Sequence, residues 1–144
     1  MIKAFAICLA LAALEPTVAQ THRFQTCMAV GMVAEREGVA PSLAVALAWH
    51  ESSMLTSLVS RAGAVGPLQV VPRWGCPGGQ KDGCDLIGAG IRMLKMWQRH
   101  TRGDDRMAVA HYNGGRKPGK SSVRWARWVI ITRDKLQRSY VNED

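Results

Sequence analysis

Apolar residues recur along most of this chain at helical spacing, and no stretch alternates apolar with polar long enough to predict a strand. Phe24, Cys27, Met28, Gly31 and Ala34 share one helical face, and Gly38 closes that segment. Pro41 opens a second helix that reaches about Ser53, with Leu43, Ala46, Leu47, His50, Glu51 and Met54 on its inner face. Between Ser57 and Gly83 the periodicity dissolves into a loop holding six Gly and three Pro. A third helix is predicted from Asp85 to His100, with Ile87, Ile91, Leu94 and Trp97 inward. Asp104 is placed to cap a fourth, ending at Asn113-Gly114-Gly115. Ser121 or Ser122 caps a fifth, with Val123, Ala126, Val129 and Ile130 inward, and the polar last residues are expected to fray. No repeat appears at a period of 20–50 residues. The pattern predicts a mainly α fold: one small helical domain carrying one long loop.

The amino-terminal pattern differs from the rest. Ala4 to Leu14 is an unbroken apolar run after Lys3, followed by Glu15-Pro16 and Thr17-Val18-Ala19-Gln20. A charged start, a short apolar stretch and a small residue before the break describe a secretory leader over residues 1–19, leaving a domain over 20–144. The competing reading is an amino-terminal core helix. A run this short spans too little of a bilayer to be a stable anchor.

The leader changes how the cysteines read. Cys8 is expected to leave with it, so Cys27, Cys76 and Cys84 remain in an oxidising compartment. Three cannot all pair. Cys76 and Cys84 flank the Pro/Gly-rich loop CPGGQKDGC and are the first choice, with a bridge from Cys27 to one of them second. No CxxC or HxxxH spacing points to zinc, and no cofactor is expected.

Composition sharpens this picture. The 144 residues amount to one domain, 47% hydrophobic and 21% charged, which is a globular rather than a disordered balance. With 19 Lys+Arg against 11 Asp+Glu the formal charge is +8, which favours polyanionic partners. Much of it is concentrated: Arg116, Lys117, Lys120, Arg124, Arg127, Arg133, Lys135 and Arg138 face a single acid, Asp134, in that stretch. Trp125 and Trp128, interleaved there, read as core residues, while the charge itself reads as attraction to an anionic envelope surface rather than as a merely solvated face.

Glu51 is where chemistry enters. It lies four residues after Leu47 and eight after Leu43, at the end of an apolar stripe. Apolar surroundings disfavour the anion and raise a carboxyl pKa, as a general acid requires. A helix-end glutamate that reaches solvent is the plainer reading of the helix alone. The next acidic residue is Asp82, and between the two lies the turn Gly63-Ala64-Val65-Gly66-Pro67-Leu68-Gln69. Ala110-His111-Tyr112-Asn113-Gly114-Gly115 then supplies a phenol and an amide at a later helix end.

Together, ALAWHESSMLTSLVSRAGAVGPLQVVPRW and AVAHYNGG resemble the soluble lytic transglycosylase family over roughly residues 27–130. Glu51-Ser52 matches the family's Glu-Ser pair. Gly66-Pro67-Leu68-Gln69 matches its Gly-Leu-Met-Gln turn, and His111-Tyr112-Asn113-Gly114 its Ala-Tyr-Asn-Gly motif. Ser60 matches a serine nine residues after the acid, and Leu86-Ile87-Gly88-Ala89-Gly90-Ile91-Arg92-Met93-Leu94 resembles its later Asn-Ile-x-x-Gly-x-x-Tyr-Leu helix. Pro67, Leu68, Leu86, Met93 and His111 depart from the pattern, while the acid, glutamine, tyrosine and asparagine stay.

The resemblance implies a compact lysozyme-like fold with a long active-site loop, and cleavage of peptidoglycan glycan strands. It makes Glu51 the one catalytic acid and base. It makes Tyr112 the group that hydrogen-bonds and positions Glu51, and Ser60, Gln69 and Asn113 the holders of the sugar and its N-acetyl groups. Most glycosidases use two carboxylates; here Asp82, Asp85, Asp104 and Asp105 lie outside the matched motifs. His50 is expected to pack or to meet solvent. The implied setting is the periplasm or cell envelope, or a virion or host periplasm if the source is a phage. A secretion, conjugation or phage apparatus is the implied machinery, with a monomer and no specific nucleic acid. A lysozyme-type hydrolase and a non-catalytic glycan binder are the alternatives.

Overall fold

A computed structural model describes residues 1–141 of the chain. Its helices are α1 (Ile2–Leu14), α2 (Thr21–Glu37), α3 (Pro41–Ser52), the single turn α4 (Pro72–Gly75), α5 (Leu86–His100), α6 (Asp105–Gly114) and α7 (Lys120–Val141). Among the described residues there is no strand, only isolated antiparallel bridges Val59–Val65 and Val65–Val70 in the loop after α3. The mainly α expectation is met.

The centre is α3. Leu43, Ala44, Val45, Ala46, Leu47 and Ala48 are all fully buried, so this helix has no wet face over its middle turns. Its sequence explains this, since six consecutive apolar residues leave no polar side to turn outward. It is enclosed by α1, α2 and α7. Pro41 occupies its first turn, where a missing N–H costs nothing. The second layer is α5 and α6 with α7; the Asp104 cap is as the sequence predicts, and Asp85, read as the first residue of its helix, is a cap as well. Asp85 accepts from Gly88 N at 3.0 Å and Asp104 from Met107 N at 3.1 Å, each satisfying an orphan amide of a first turn.

Three expectations change, the first of them the cysteine pairing. In the full chain residues 1–19 pack against the domain. Ala4, Ile7, Cys8 and Leu11 of α1 are buried against α2, α3 and α7. In a uniformly apolar run a leader and a buried helix have the same composition, so the pattern alone could not separate them. Cys8 is accordingly bridged to Cys27, and Cys76 to Cys84, so no cysteine is left over. Second, α7 begins at Lys120, ahead of both serines read as its cap, and Ser122 Oγ instead donates to Asn113 Oδ1 at 2.8 Å. Third, of the two tryptophans read as core, Trp125 packs partly buried but Trp128 is 56% exposed. Residues 142–144, part of the polar end expected to fray, lie outside the described residues. No helix of the described residues is long and apolar enough to cross a membrane.

Candidate active site

The site grows from the end of α3. Glu51 is its penultimate residue, and Ser53 (φ 55°) and Met54 (φ 65°) then turn the backbone into the left-handed region. Two successive non-glycine residues there are strained. Full burial of the Met54 side chain helps hold the turn. Arg23 Nη1 donates to Ser53 O at 3.0 Å, placing a cation at the negative end of the helix. Ser52 Oγ lies 3.1 Å from Ala48 O and donates to Pro67 O at 2.8 Å, tying the distant turn to the helix end.

That turn is the Gly66-Pro67-Leu68-Gln69 segment. Gln69 N donates to Gly66 O at 3.1 Å, closing a four-residue turn with proline at its second position, which proline's fixed φ suits. Gly66 sits at φ 81°, and a Cβ there would also meet Leu86 Cδ1 at 3.2 Å. Gln69 is itself at φ 49°. Its Nε2 donates to Leu58 O at 3.0 Å and to Gly66 O at 2.9 Å, so the side chain laces both sides of the loop. Val65 and Val70 exchange both backbone bonds. Ser60 Oγ accepts from Ala64 N at 3.0 Å, fixing a smaller turn in the same loop.

The opposite wall is Tyr112 on α6. Its hydroxyl donates to Leu68 O at 2.6 Å, across 44 residues of sequence. Gly90 on α5 makes room for this bond. A Cβ at Gly90 would lie 2.6 Å from Leu68 Cβ and 3.1 Å from the Tyr112 hydroxyl.

Glu51 is the exceptional group electrostatically. Burial pushes its carboxyl up to about 8, so it is protonated at neutral pH. Burial, and second the Glu51 charge when present, hold the Tyr112 phenol above its ordinary range. Tyr112 is therefore a neutral donor, and the two side chains are near enough to feel each other.

The structure thus brings together Glu51, Tyr112 and the turn that ends in Gln69. Ser60 and Asn113 are engaged by their own neighbours, Ala64 N and Ser122 Oγ. Asn113 lies exposed at the end of α6. His50 turns away, its Nε2 2.8 Å from Thr132 Oγ1 on α7, and burial lowers its pKa. His111 stacks on Trp97 with ring centroids 4.7 Å apart, and its Nδ1 lies 2.8 Å from Gly115 O. Of the other candidate acids, Asp85 and Asp104 cap helices and Asp105 receives Arg133 at 2.9 Å, while Asp82 lies exposed in the loop before α5. Among the described residues no three His, Cys, Asp or Glu side chains cluster to hold a metal ion.

Two contributors escaped the sequence reading. Ser52 was visible only as half of the Glu-Ser pair, and Gly90 only as a small residue in a helix pattern. The contacts that give them meaning join residues far apart in the chain.

Residues 28–132 match the family model described as the transglycosylase SLT domain. No curated protein matches the chain.

Proposed function

The chain belongs to the transglycosylase SLT domain family, and from that premise we propose that it is an exported lytic transglycosylase whose one acid and base is Glu51. At the level of the family the activity is lytic cleavage of peptidoglycan in the cell envelope, on a lysozyme-like helical fold.

The observation that carries the residue-level reading is a half-buried carboxyl pushed up to about 8 by desolvation, close to Tyr112, whose hydroxyl holds the hydrogen-bonded turn. A neutral Glu51 donates its proton to the glycosidic oxygen between N-acetylmuramic acid and N-acetylglucosamine. The bond to the anomeric carbon breaks, assisted by the muramic N-acetyl oxygen. Glu51, now a carboxylate, takes the proton of the same sugar's C6 hydroxyl. O6 bonds to the anomeric carbon and closes a 1,6-anhydro ring. Atoms balance without water, and the enzyme is returned protonated.

The environment suits both halves of this cycle. Burial keeps the acid loaded before cleavage and makes the carboxylate a strong base afterwards. Caps and an ion pair occupy Asp85, Asp104 and Asp105, three of the four other candidate acids, which supports a one-carboxylate mechanism; Asp82, the fourth, is exposed. Tyr112 positions the turn through Leu68 and stands beside Glu51. Gln69, Ser60 and Asn113 hold sugar and N-acetyl groups through atoms their internal bonds leave free. Residues 1–19 direct export, and the setting is a wall-opening step for an envelope-spanning apparatus or a phage.

The test is mass spectrometry of products from purified sacculi treated with the protein and with Glu51→Gln. Products ending in 1,6-anhydro-muramic acid, one water lighter than hydrolytic products and absent from the variant, are expected. Reducing-end products would assign a hydrolase with a second acid. No products from either protein, with binding to sacculi retained, would assign a glycan binder.

A further inference from the structure

We infer that α1 remains in the finished protein as a wall of the catalytic domain, bonded through Cys8–Cys27, although its sequence has the pattern of a removable leader. Two sets of observations meet in these 13 residues. The first is complementarity built into the rest of the chain. Glycine sits at position 31 in the middle of α2, where it lowers helix propensity against alanine. A Cβ there would lie 2.8 Å from Ala4 Cβ, so the glycine lets α1 approach. Glu35 on α2 accepts from Ala4 N at 2.8 Å, satisfying an amide of the first turn of α1. Phe24 meets Phe5 edge to face at 6.1 Å. Beyond α1, Val18 is fully buried, so the connection to α2 is packed as well. A segment that is always discarded needs no matching glycine, carboxylate or cysteine in the domain it leaves.

The second set is what packing does not explain. Ile2, Phe5, Leu9 and Leu14 stay exposed, at 81%, 49%, 49% and 44%. A helix selected only to pack would turn polar side chains outward. An apolar outer face is what an export leader requires, as is the preceding Lys3. The same helix therefore serves export first and the fold afterwards.

The bond makes retention covalent. Cys8 and Cys27 lose two protons and two electrons to an external disulfide, which is reduced to two thiols as the new bond forms. The exported compartment provides that oxidant class. A cut after Ala19 would then leave α1 attached. Retention also bears on the site. The Glu15 charge reaches His50, the neighbour of Glu51, and Leu11, Leu14 and Glu15 line a small cavity of about 110 Å³ with Thr132, the partner of His50.

The experiment is the intact mass of the full chain, tagged at its carboxyl end, exported into an oxidising periplasm and purified. It does not depend on the proposed reaction. The expected mass, without reduction, includes residues 1–19 and is four hydrogens below that of the reduced chain. A species one water heavier that splits on reduction also supports retention, with the backbone cut and the bridge holding. An unreduced mass of residues 20–144 alone would overturn it. The Cys8→Ser variant supplies a second readout. It is expected to melt on the order of 10 °C lower than the parent. An unchanged melting temperature would show that α1 is absent from the folded protein.

Discussion

The wall formed by α1 and α2 and the loop that follows α3 are held by opposite means. The wall has regular helical backbone, an apolar contact surface and one disulfide. The loop has little regular structure, and three of the four non-glycine residues with positive φ, Ser53, Met54 and Gln69, flank it or lie in it. It buries few apolar side chains, chiefly Val65, Leu68 and Val70. Its shape rests on the polar ties from Ser52 to Pro67, Gln69 to Leu58 and Gly66, and Tyr112 to Leu68. Apolar packing is non-directional and tolerates small shifts. Hydrogen bonds fix direction, which a site that must meet a sugar at defined atoms needs. Polar substitutions should therefore strike the loop, and volume changes the wall.

The sharpest break of that contrast is Glu51→Gln. On the proposed mechanism Glu51 serves as both acid and base, and its loss is expected to lower turnover by ~10³-fold or more. The fold should persist, because the amide is isosteric. The variant also reports the acid's burial through stability. The folded pKa of about 8 exceeds the ordinary 4.5, so protonated Glu51 contributes stability in full below 4.5. That contribution is lost as pH rises through about 8. Parent minus variant stability, from urea melts at pH 5 and pH 9, should fall by on the order of 2–4 kcal/mol. Parallel pH profiles would deny that Glu51 is a buried acid. The rate should follow the same group, declining as pH rises through about 8.

Two glycines test the comparison directly. Gly90→Ala drives a methyl to within 2.6 Å of Leu68 Cβ, and Gly31→Ala drives one to within 2.8 Å of Ala4 Cβ. Each overpacks by roughly 1–3 kcal/mol and regains about 1 kcal/mol of helix propensity, so net stability losses should be similar and small. Their effects on activity should differ. Gly90→Ala displaces the Tyr112–Leu68 bond and is expected to lower turnover on the order of 10- to 100-fold, while Gly31→Ala leaves turnover near the parent's. Equal activities would mean that the loop's geometry does not set the rate. Tyr112→Phe is the milder version: it leaves Leu68 O without its partner, at a cost of about 1–3 kcal/mol, and should show reduced turnover in the same assay.

What the sequence revealed follows the same division. Helices and the apolar stripe of α3 are local periodic features, so the Asp104 cap, the start of α5 near Asp85 and the position of Glu51 are readable from spacing alone. The Cys76–Cys84 pairing was readable because both lie in one short loop. The ties that make the site join residues 15 and 44 positions apart, and no local pattern encodes them. Ser122 shows the limit in miniature: beside a helix start a serine reads as a cap, but its partner Asn113 belongs to another helix. The packing of α1 is not legible for a different reason. Its inner and outer faces are both apolar, so periodicity carries no orientation, and only Gly31, Glu35 and Cys27 on α2 disclose where it sits.

The smallest expected effect concerns α7, where the two kinds of region meet. Arg133 is structural, pairing with Asp105 at 2.9 Å and Asp134 at 2.6 Å. Lys120, Arg124 and Arg127, with Arg106 of α6, instead line a cavity of about 470 Å³ and make no ion pair among the described residues. Exposed like charges so close together repel one another, so neutralising two of them should leave stability within about 0.5 kcal/mol of the parent. On the proposed function they attract an anionic wall, an effect that salt screens over roughly 10 Å at 0.1 M. Arg124→Gln with Arg127→Gln should therefore weaken sedimentation with sacculi at low salt and converge on the parent as salt rises. Turnover on a short neutral glycan should not change, because these side chains line a groove outside the Glu51 site. Arg133→Gln should do the reverse, lowering stability while binding keeps its salt dependence. If all three substitutions acted alike, α7 would carry a diffuse charge and no distinct wall-facing groove.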